Sequence, residues 1–234
     1  MESKELYQAL FGTEEKERER GGYGLYIFWA MLLLLALFFR FWWVDTYSGV
    51  MVSGPSMNQT LQDGDRLLMQ YVKNGEGLER GDVIVVDVRS YANEPDNHYY
   101  FGDTEYLIKR LIAVEGDVIR CQDGQLYICY AGTYAEGTPI EQLTFEALDE
   151  PYAHYRSEDG KLNYDFEGQV YVVGEGEIFF LGDNRNNSKD SRYKEMSGSH
   201  LSGLYKATDV YGVVPEWAIE HKDTLEKIFF RNEK

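Results

Sequence analysis

Tyr106–Val114 reads YLIKRLIAV, and its side-chain alternation decides what kind of body this chain builds. In an extended strand successive side chains point to opposite faces. Leu107, Lys109 and Leu111 therefore share one face, and Ile108, Arg110 and Ile112 share the other. Lys109 sits on an apolar face, and Arg110 is the odd charged residue on its own. Similar strand-like runs recur on both sides: residues 50–52, Arg66–Tyr71, 82–88, 118–120, Gln125–Cys129, 169–173, Glu177–Leu181 and 209–214. Turn signals separate them, and helical periodicity in this body is scarce outside 216–230. Many short strands without strand–helix–strand alternation predict a mainly β fold.

Residues 117–176 are more acidic and less apolar, and 131–166 lack clear periodicity. This stretch reads as a small subdomain inserted between strands of the main body. Within it, Asp123-Gly124 joins two strand-like runs, a strong hairpin signal. A two-residue loop sets Cys121 opposite Leu126 and Cys129 opposite Val118, so the cysteines face apart and do not bridge. A bulged or longer loop leaves a disulfide open.

Length and composition bound the function. The chain has 234 residues, with 44% hydrophobic content, 23 glycines and 19 tyrosines, which suits a sheet-rich and turn-rich body. A net charge of −17 with no dense Lys/Arg patch argues against nucleic-acid binding, because phosphate is repelled. Two cysteines give no disulfide framework and no CxxC zinc pair, and no metal or organic cofactor is expected.

Residues 24–44, GLYIFWAMLLLLALFFRFWWV, carry no charge from Leu25 to Phe39. At about 1.5 Å per residue this segment reaches about 30 Å, the thickness of a bilayer core. Trp29, Trp42 and Trp43 suit interfaces, and Arg40 lies near enough to one end to snorkel. The bulky residues that follow the apolar run offer no small-residue cleavage site, so the segment reads as an uncleaved anchor. Lys16, Arg18 and Arg20 precede it, whereas 45–65 lack Lys and Arg. The positive-inside bias then gives a cytoplasmic tail (1–23), a transmembrane helix (24–44) and an extracytoplasmic domain (45–234).

Four segments carry the candidate chemistry: SGPSMNQTL (53–61), GDVIVVDV (81–88), YLIKRLIAVEGD (106–117) and GDNRNNSKDSR (182–192). In the first, Gly54 and Pro55 turn the chain tightly into Ser56 and lift its hydroxyl. In the third, desolvation of Lys109 disfavours its charged form and leaves an amine able to accept a proton. The fourth packs polar residues behind an apolar run. There a serine hydroxyl can position a lysine, and Asp190 and Arg192 can brace the loop as an ion pair. The second is structural, with a turn at Gly81-Asp82 and core valines after it. Alone, each of these residues has a bland reading, as a turn serine, a snorkelling lysine or a solvated loop.

Taken together, and in this order after one anchor, the four segments resemble bacterial type I signal peptidases. The resemblance implies a β-rich Ser–Lys protease fold that removes signal peptides from secreted pre-proteins after small residues. It implies Ser56 as nucleophile, Lys109 as general base, and Ser188 as the serine that hydrogen-bonds the lysine. Asp190 and Arg192 match the bracing pair, while Asp183 and Arg185 match the start of a structural GDNR loop. One span with a compact insertion is similar to the Gram-positive form, placed in the plasma membrane, with pre-proteins and the lipid bilayer as partners.

The chain departs from the family pattern in three places. Gln59 stands where SMxPTL has proline, which loosens the turn after Ser56. Gly54 stands where some relatives carry a serine that supplies an oxyanion donor. The Ser56 N–H remains one donor, and whether Ser53 adds a second is open. An insertion is expected near 193–207, where YKEMSGSHL follows DSR. A repressor-type Ser–Lys autoprotease shares the dyad but predicts a soluble chain with a DNA-binding module. A non-catalytic anchored scaffold predicts a Ser56 that does not react.

Overall fold

The first element is a helix, α1 (Glu2–Thr46), 45 residues long. It begins well before the apolar run, because the Glu-, Lys- and Arg-rich stretch ahead of that run is itself a good helix former. Its apolar part, Tyr23–Thr46, has 24 residues. At about 1.5 Å per residue that is about 36 Å, enough to cross a bilayer core. The computed structural model describes residues 2–89, 106–155, 168–192 and 203–230, with side chains from residue 23 onward. It divides into two units, Met1–Thr46 and Tyr47–Lys234.

The second unit is mainly β, built on two antiparallel sheets. The larger holds β1 (Tyr47–Met51), β2 (Arg66–Tyr71), β3 (Val83–Asp87), β4 (Tyr106–Val114), β9 (Glu177–Leu181), β10 (Tyr205–Lys206) and β11 (Val210–Val214). Their order across the sheet is β1-β2-β11-β3-β4-β9-β10. The smaller sheet has β5 (Val118–Gln122), β6 (Gln125–Cys129), β7 (Glu146–Ala147) and β8 (Val170–Val172), in the order β7-β6-β5-β8. In sequence it falls wholly between β4 and β9.

β9 explains how two cores meet. Its alternate residues Ile178 and Phe180 join a cluster with Ile84, Val86, Leu107 and Leu111. Phe179 and Leu181 join another with Ile119, Leu126, Ile128 and Tyr171. The strand is buried on both faces and so reads as a continuous apolar run. β4 serves both cores differently. The register with β9 shifts between Leu111 and Ala113, a bulge that lets Leu111 enter the first cluster and the adjacent Ile112 and Ala113 the second.

Asp117, fully buried at the step from β4 to β5, fixes the crossing between sheets. Its carboxylate accepts two bonds from Arg80, both at 2.6 Å, and bonds from the Val114 and Ala131 N–H groups. Four donors on one carboxylate supply the partners that a buried charge requires.

Elements too short to show a period escape sequence reading: β7 and β10 have two residues each. The helical stretch after β11 is interrupted. α2 (Glu216–Glu220) and α3 (Lys222–Phe229) are separated at His221, whose φ of −108° leaves the helical range. The β5–β6 hairpin has the two-residue turn expected of Asp123-Gly124, with positive φ at both residues, 53° and 72°. Cys121 pairs with Leu126 and Cys129 with Val118, and both cysteines are buried thiols outside any disulfide. Of the expected insertion near 193–207, residues 193–202 lie outside the described residues, as do 156–166 of the aperiodic stretch.

Candidate active site

Ser56 lies in the turn that leaves β1. Gly54 adopts φ 87°, and its N–H is taken by Asp63 Oδ1 at 2.8 Å. That φ favours a residue without Cβ. Two further bonds tighten the turn after the serine: the Asn58 N–H reaches Pro55 O and the Leu61 N–H reaches Met57 O. Met57 and Leu61 are fully buried, so the turn is pinned from below by apolar packing. The Ser56 N–H donates to no group among the described residues. Ser53 is exposed.

Lys109 comes to this serine from the middle of β4. Nζ lies 2.8 Å from Ser56 Oγ and 2.8 Å from the Ile108 carbonyl oxygen. The lysine is only 3% exposed, and its cross-strand neighbour on β3 is the fully buried Ile84. Burial pushes the amine down from 10.5 to about 8, while the charges of Asp190 and Asp183 work against that fall. Desolvation penalises the ammonium more than the amine, so this is the direction that burial must give. A poorly hydrated amine at hydrogen-bond distance from a hydroxyl can accept its proton near neutral pH.

The loop after β9 holds the serine turn in place. The Asn184 N–H donates to Ser56 O at 3.0 Å, and Asn184 Nδ2 donates to Pro55 O at 3.0 Å. Thr60 Oγ1 donates to Asp183 Oδ2 at 2.6 Å. Asp183, fully buried, also receives both arms of Arg110, at 2.8 and 2.7 Å. Such a bidentate, charge-assisted pair sets geometry as well as energy. Arg110, the odd residue of β4, thus ties the strand that carries Lys109 to the loop that grips Ser56.

Asp190 and Arg192 form a buried ion pair, with Nε to Oδ1 at 2.8 Å and the second arm at 2.9 Å. Burial works to raise the Asp190 pKa, but the charge and hydrogen bonds of Arg192 outweigh it and hold the carboxyl below its usual value. Asp190 Oδ2 also accepts the Gly182 N–H, and Arg192 donates to Arg185 O at 2.6 Å. Ser188 Oγ is buried and adds to the stabilisation of Asp190, yet meets no partner at full hydrogen-bond geometry. The bond from Ser188 to Lys109 that the resemblance implies is not among those Nζ makes, which go to Ser56 and Ile108. Ser188 instead packs over Gly182, where an added Cβ would stand 2.2 Å from its Oγ and 2.5 Å from Ser56 O.

A third layer comes from residues 150–155, which follow β7. Glu150 pairs with both arms of Arg185, which is fully buried and also meets Tyr155 Oη at 3.2 Å. Burial works to lower the Arg185 pKa, and Glu150 more than reverses it. The Tyr152 ring lies 4.0 Å from the Arg110 guanidinium. His154 forms a parallel bridge with Asn184, its N–H on Asp183 O at 2.7 Å and its carbonyl on the Arg185 N–H. Thr60 and Asn184 lie inside two of the quoted segments without a role assigned there, and Glu150 and His154 carry no sequence signal of their own. Only Arg110, charged on an apolar strand, announces that a buried carboxylate must meet it.

The family model described as signal peptidase, peptidase S26, matches residues 23–218. Signal peptidase I of Bacillus licheniformis is 32% identical over 166 residues, covering 68% of this chain and 72% of that protein. Signal peptidase IB of Staphylococcus aureus is 30% identical over 154 residues, covering 60% of this chain and 65% of that protein. Among solved structures, a signal peptidase I from Enterococcus faecalis matches 60% of this chain and 98% of its own, with a TM-score of 0.38 at 25% identity. The chain belongs to the signal peptidase family, peptidase S26.

Proposed function

We propose that this protein is a membrane-anchored serine endopeptidase that removes signal peptides from secreted pre-proteins. The observation that carries the reading is the 2.8 Å approach of a 3% exposed lysine amine to the Ser56 hydroxyl. Neutral Lys109 takes the Ser56 proton as Oγ attacks the scissile carbonyl. The Ser56 N–H, uncommitted among the described residues, holds the oxyanion, and one such donor is worth about 3 kcal/mol in comparable enzymes. The lysine then gives its proton to the departing amine. An acyl ester remains on Ser56, and water activated by Lys109 hydrolyses it.

The loop residues act through these two groups. Asp183 and Asn184 set the Ser56 turn. Asp190 and Arg192 fix the loop, and Ser188, packed over Gly182, adds to the stabilisation of Asp190. Arg185 anchors the same loop from behind. The helix α1 supports a plasma-membrane anchor. The basic residues before its apolar part favour a cytoplasmic N-terminus and an extracytoplasmic body. Enzyme and precursor then share one bilayer, which raises their effective concentration.

Ser56→Ala and Lys109→Met are each expected to abolish cleavage of a pre-protein in detergent. Turnover retained by either variant would remove the role given to that residue.

A further inference from the structure

Gln59 differs from the proline of the family pattern in more than side chain. Its backbone sits at φ 85°, in the left-handed region. A proline ring holds φ near −65° and cannot take that conformation. The turn after the nucleophile is therefore of another kind in this chain, and something other than ring stiffness has to hold it. Beside the turn's backbone bonds and the Thr60–Asp183 bond, the side chain at this very position contributes: Gln59 Nε2 donates to His154 Nδ1 at 2.9 Å.

His154 is itself firmly placed. Its backbone is bonded on both sides to the loop after β9, through Asp183 O and the Arg185 N–H. The same short segment carries Glu150 on Arg185 and Tyr152 on Arg110. Gln59 thus joins the Ser56 turn to a strap that already clasps the loop gripping that turn from its other side. Gln59 lies three positions after Ser56, and its neighbour Thr60 is bonded to Asp183.

We infer that His154, acting through Gln59, is a positioning residue for the Ser56 nucleophile, in place of the proline of the family pattern. The inference rests on the reading of Ser56 as nucleophile. Its distinctive content is that two polar side chains from distant parts of the sequence work as one unit. Gln59 is exposed at the surface, so its replacement should leave the core untouched.

The test is a double-mutant cycle on cleavage of a signal-peptide substrate by the full chain in detergent, with Ser56→Ala alongside. Gln59→Gly accommodates the positive φ and removes the side chain that makes the hydrogen bond. His154→Ala removes the other partner, and His154→Asn keeps an amide near the position of Nδ1. Gln59→Gly and His154→Ala should each lower kcat about tenfold with KM within about twofold, as expected for a misplaced reacting group. The double variant should be no worse than either single one, because residues in contact are not additive. His154→Asn should recover most of the loss, and Gln59→Pro should be the most damaged. Additive losses, or a lowered melting temperature with kcat intact, would overturn the inference and leave the nucleophile reading standing. If His154→Ala fails to fold, an unchanged kcat in Gln59→Gly overturns it alone. Turnover by Ser56→Ala would overturn both.

Discussion

Lys109 Nζ stands 2.8 Å from Ser56 Oγ, although the serine belongs to a turn after β1 and the lysine to the middle of β4. The chain neighbours of Lys109 have separate tasks. Arg110 turns to Asp183 on the opposite face of the strand, and the Ile108 carbonyl takes a second bond from Nζ. A strand is a rigid platform for a base, and its alternation puts a buried amine and a buried ion pair on adjacent residues without conflict.

The charges of Asp190 and Asp183 oppose the fall of the Lys109 pKa, so removing one should let it fall further. The acid limb of kcat/KM should report the free amine and lie near pH 8. In Asp190→Asn that limb should move to lower pH. The same variant leaves Arg192 buried without its ion partner, a loss of about 3–5 kcal/mol in comparable sites. Rate profiles against pH and thermal melts of the two proteins check both halves.

Burying Lys109 costs stability, and the sign is fixed by its depressed pKa. Between about pH 8 and 10.5 the unfolded chain binds more protons at this residue than the folded one. Stability therefore rises with pH across that window, and the full penalty is present below it. The cost is on the order of 3 kcal/mol at neutral pH. Lys109→Met should accordingly be inactive yet melt several degrees higher, as scanning calorimetry would read. A lower melting temperature would mean that the amine contributes more through its hydrogen bonds than burial takes away.

Most of the fold is legible in the sequence because its central strands are buried and periodic. Arg66–Tyr71, Tyr106–Val114, Gln125–Cys129 and Glu177–Leu181 have the bounds that alternation and turn residues predict. The hairpin at Asp123-Gly124 follows from turn chemistry alone. What sequence does not carry is the bulge after Leu111 and the break at His221, since neither leaves a local signature. The site divides in the same way. Ser56, Lys109 and the Asp190–Arg192 pair stand out by residue type and setting. Gln59 and His154 are 95 positions apart, and nothing local in either announces their contact.

Gly182 follows Leu181, the β9 partner of Arg110, and its lack of a side chain lets Ser188 and the Ser56 carbonyl close in. An alanine Cβ there would lie 2.2 Å from Ser188 Oγ and 2.5 Å from Ser56 O. Backbone cannot yield as a flexible side chain can, so Gly182→Ala should push the loop off the serine turn. We expect kcat to drop about a hundredfold or more, the size that an ångström-scale displacement of a reacting group can produce. Peptide turnover measured beside a thermal melt separates this from unfolding.

The helix α1 enters the proposed function by confining enzyme and substrate to one membrane. Removing residues 1–44 should therefore harm processing of membrane-bound pre-proteins more than cleavage of a short soluble peptide. Parallel assays in proteoliposomes and in detergent would show it. Equal losses on both substrates would point to damage in the peptidase unit instead.

Proton transfer from Ser56 requires Lys109 to be a free base at working pH. The direct measurement is a titration of Lys109 in the folded protein, followed by NMR on isotope-labelled lysine and assigned with Lys109→Met. A midpoint near 8, coinciding with the pH at which an acylating probe half-maximally labels Ser56, is the predicted result. A midpoint near the ordinary 10.5, with labelling of Ser56 indifferent to pH across that range, would contradict it.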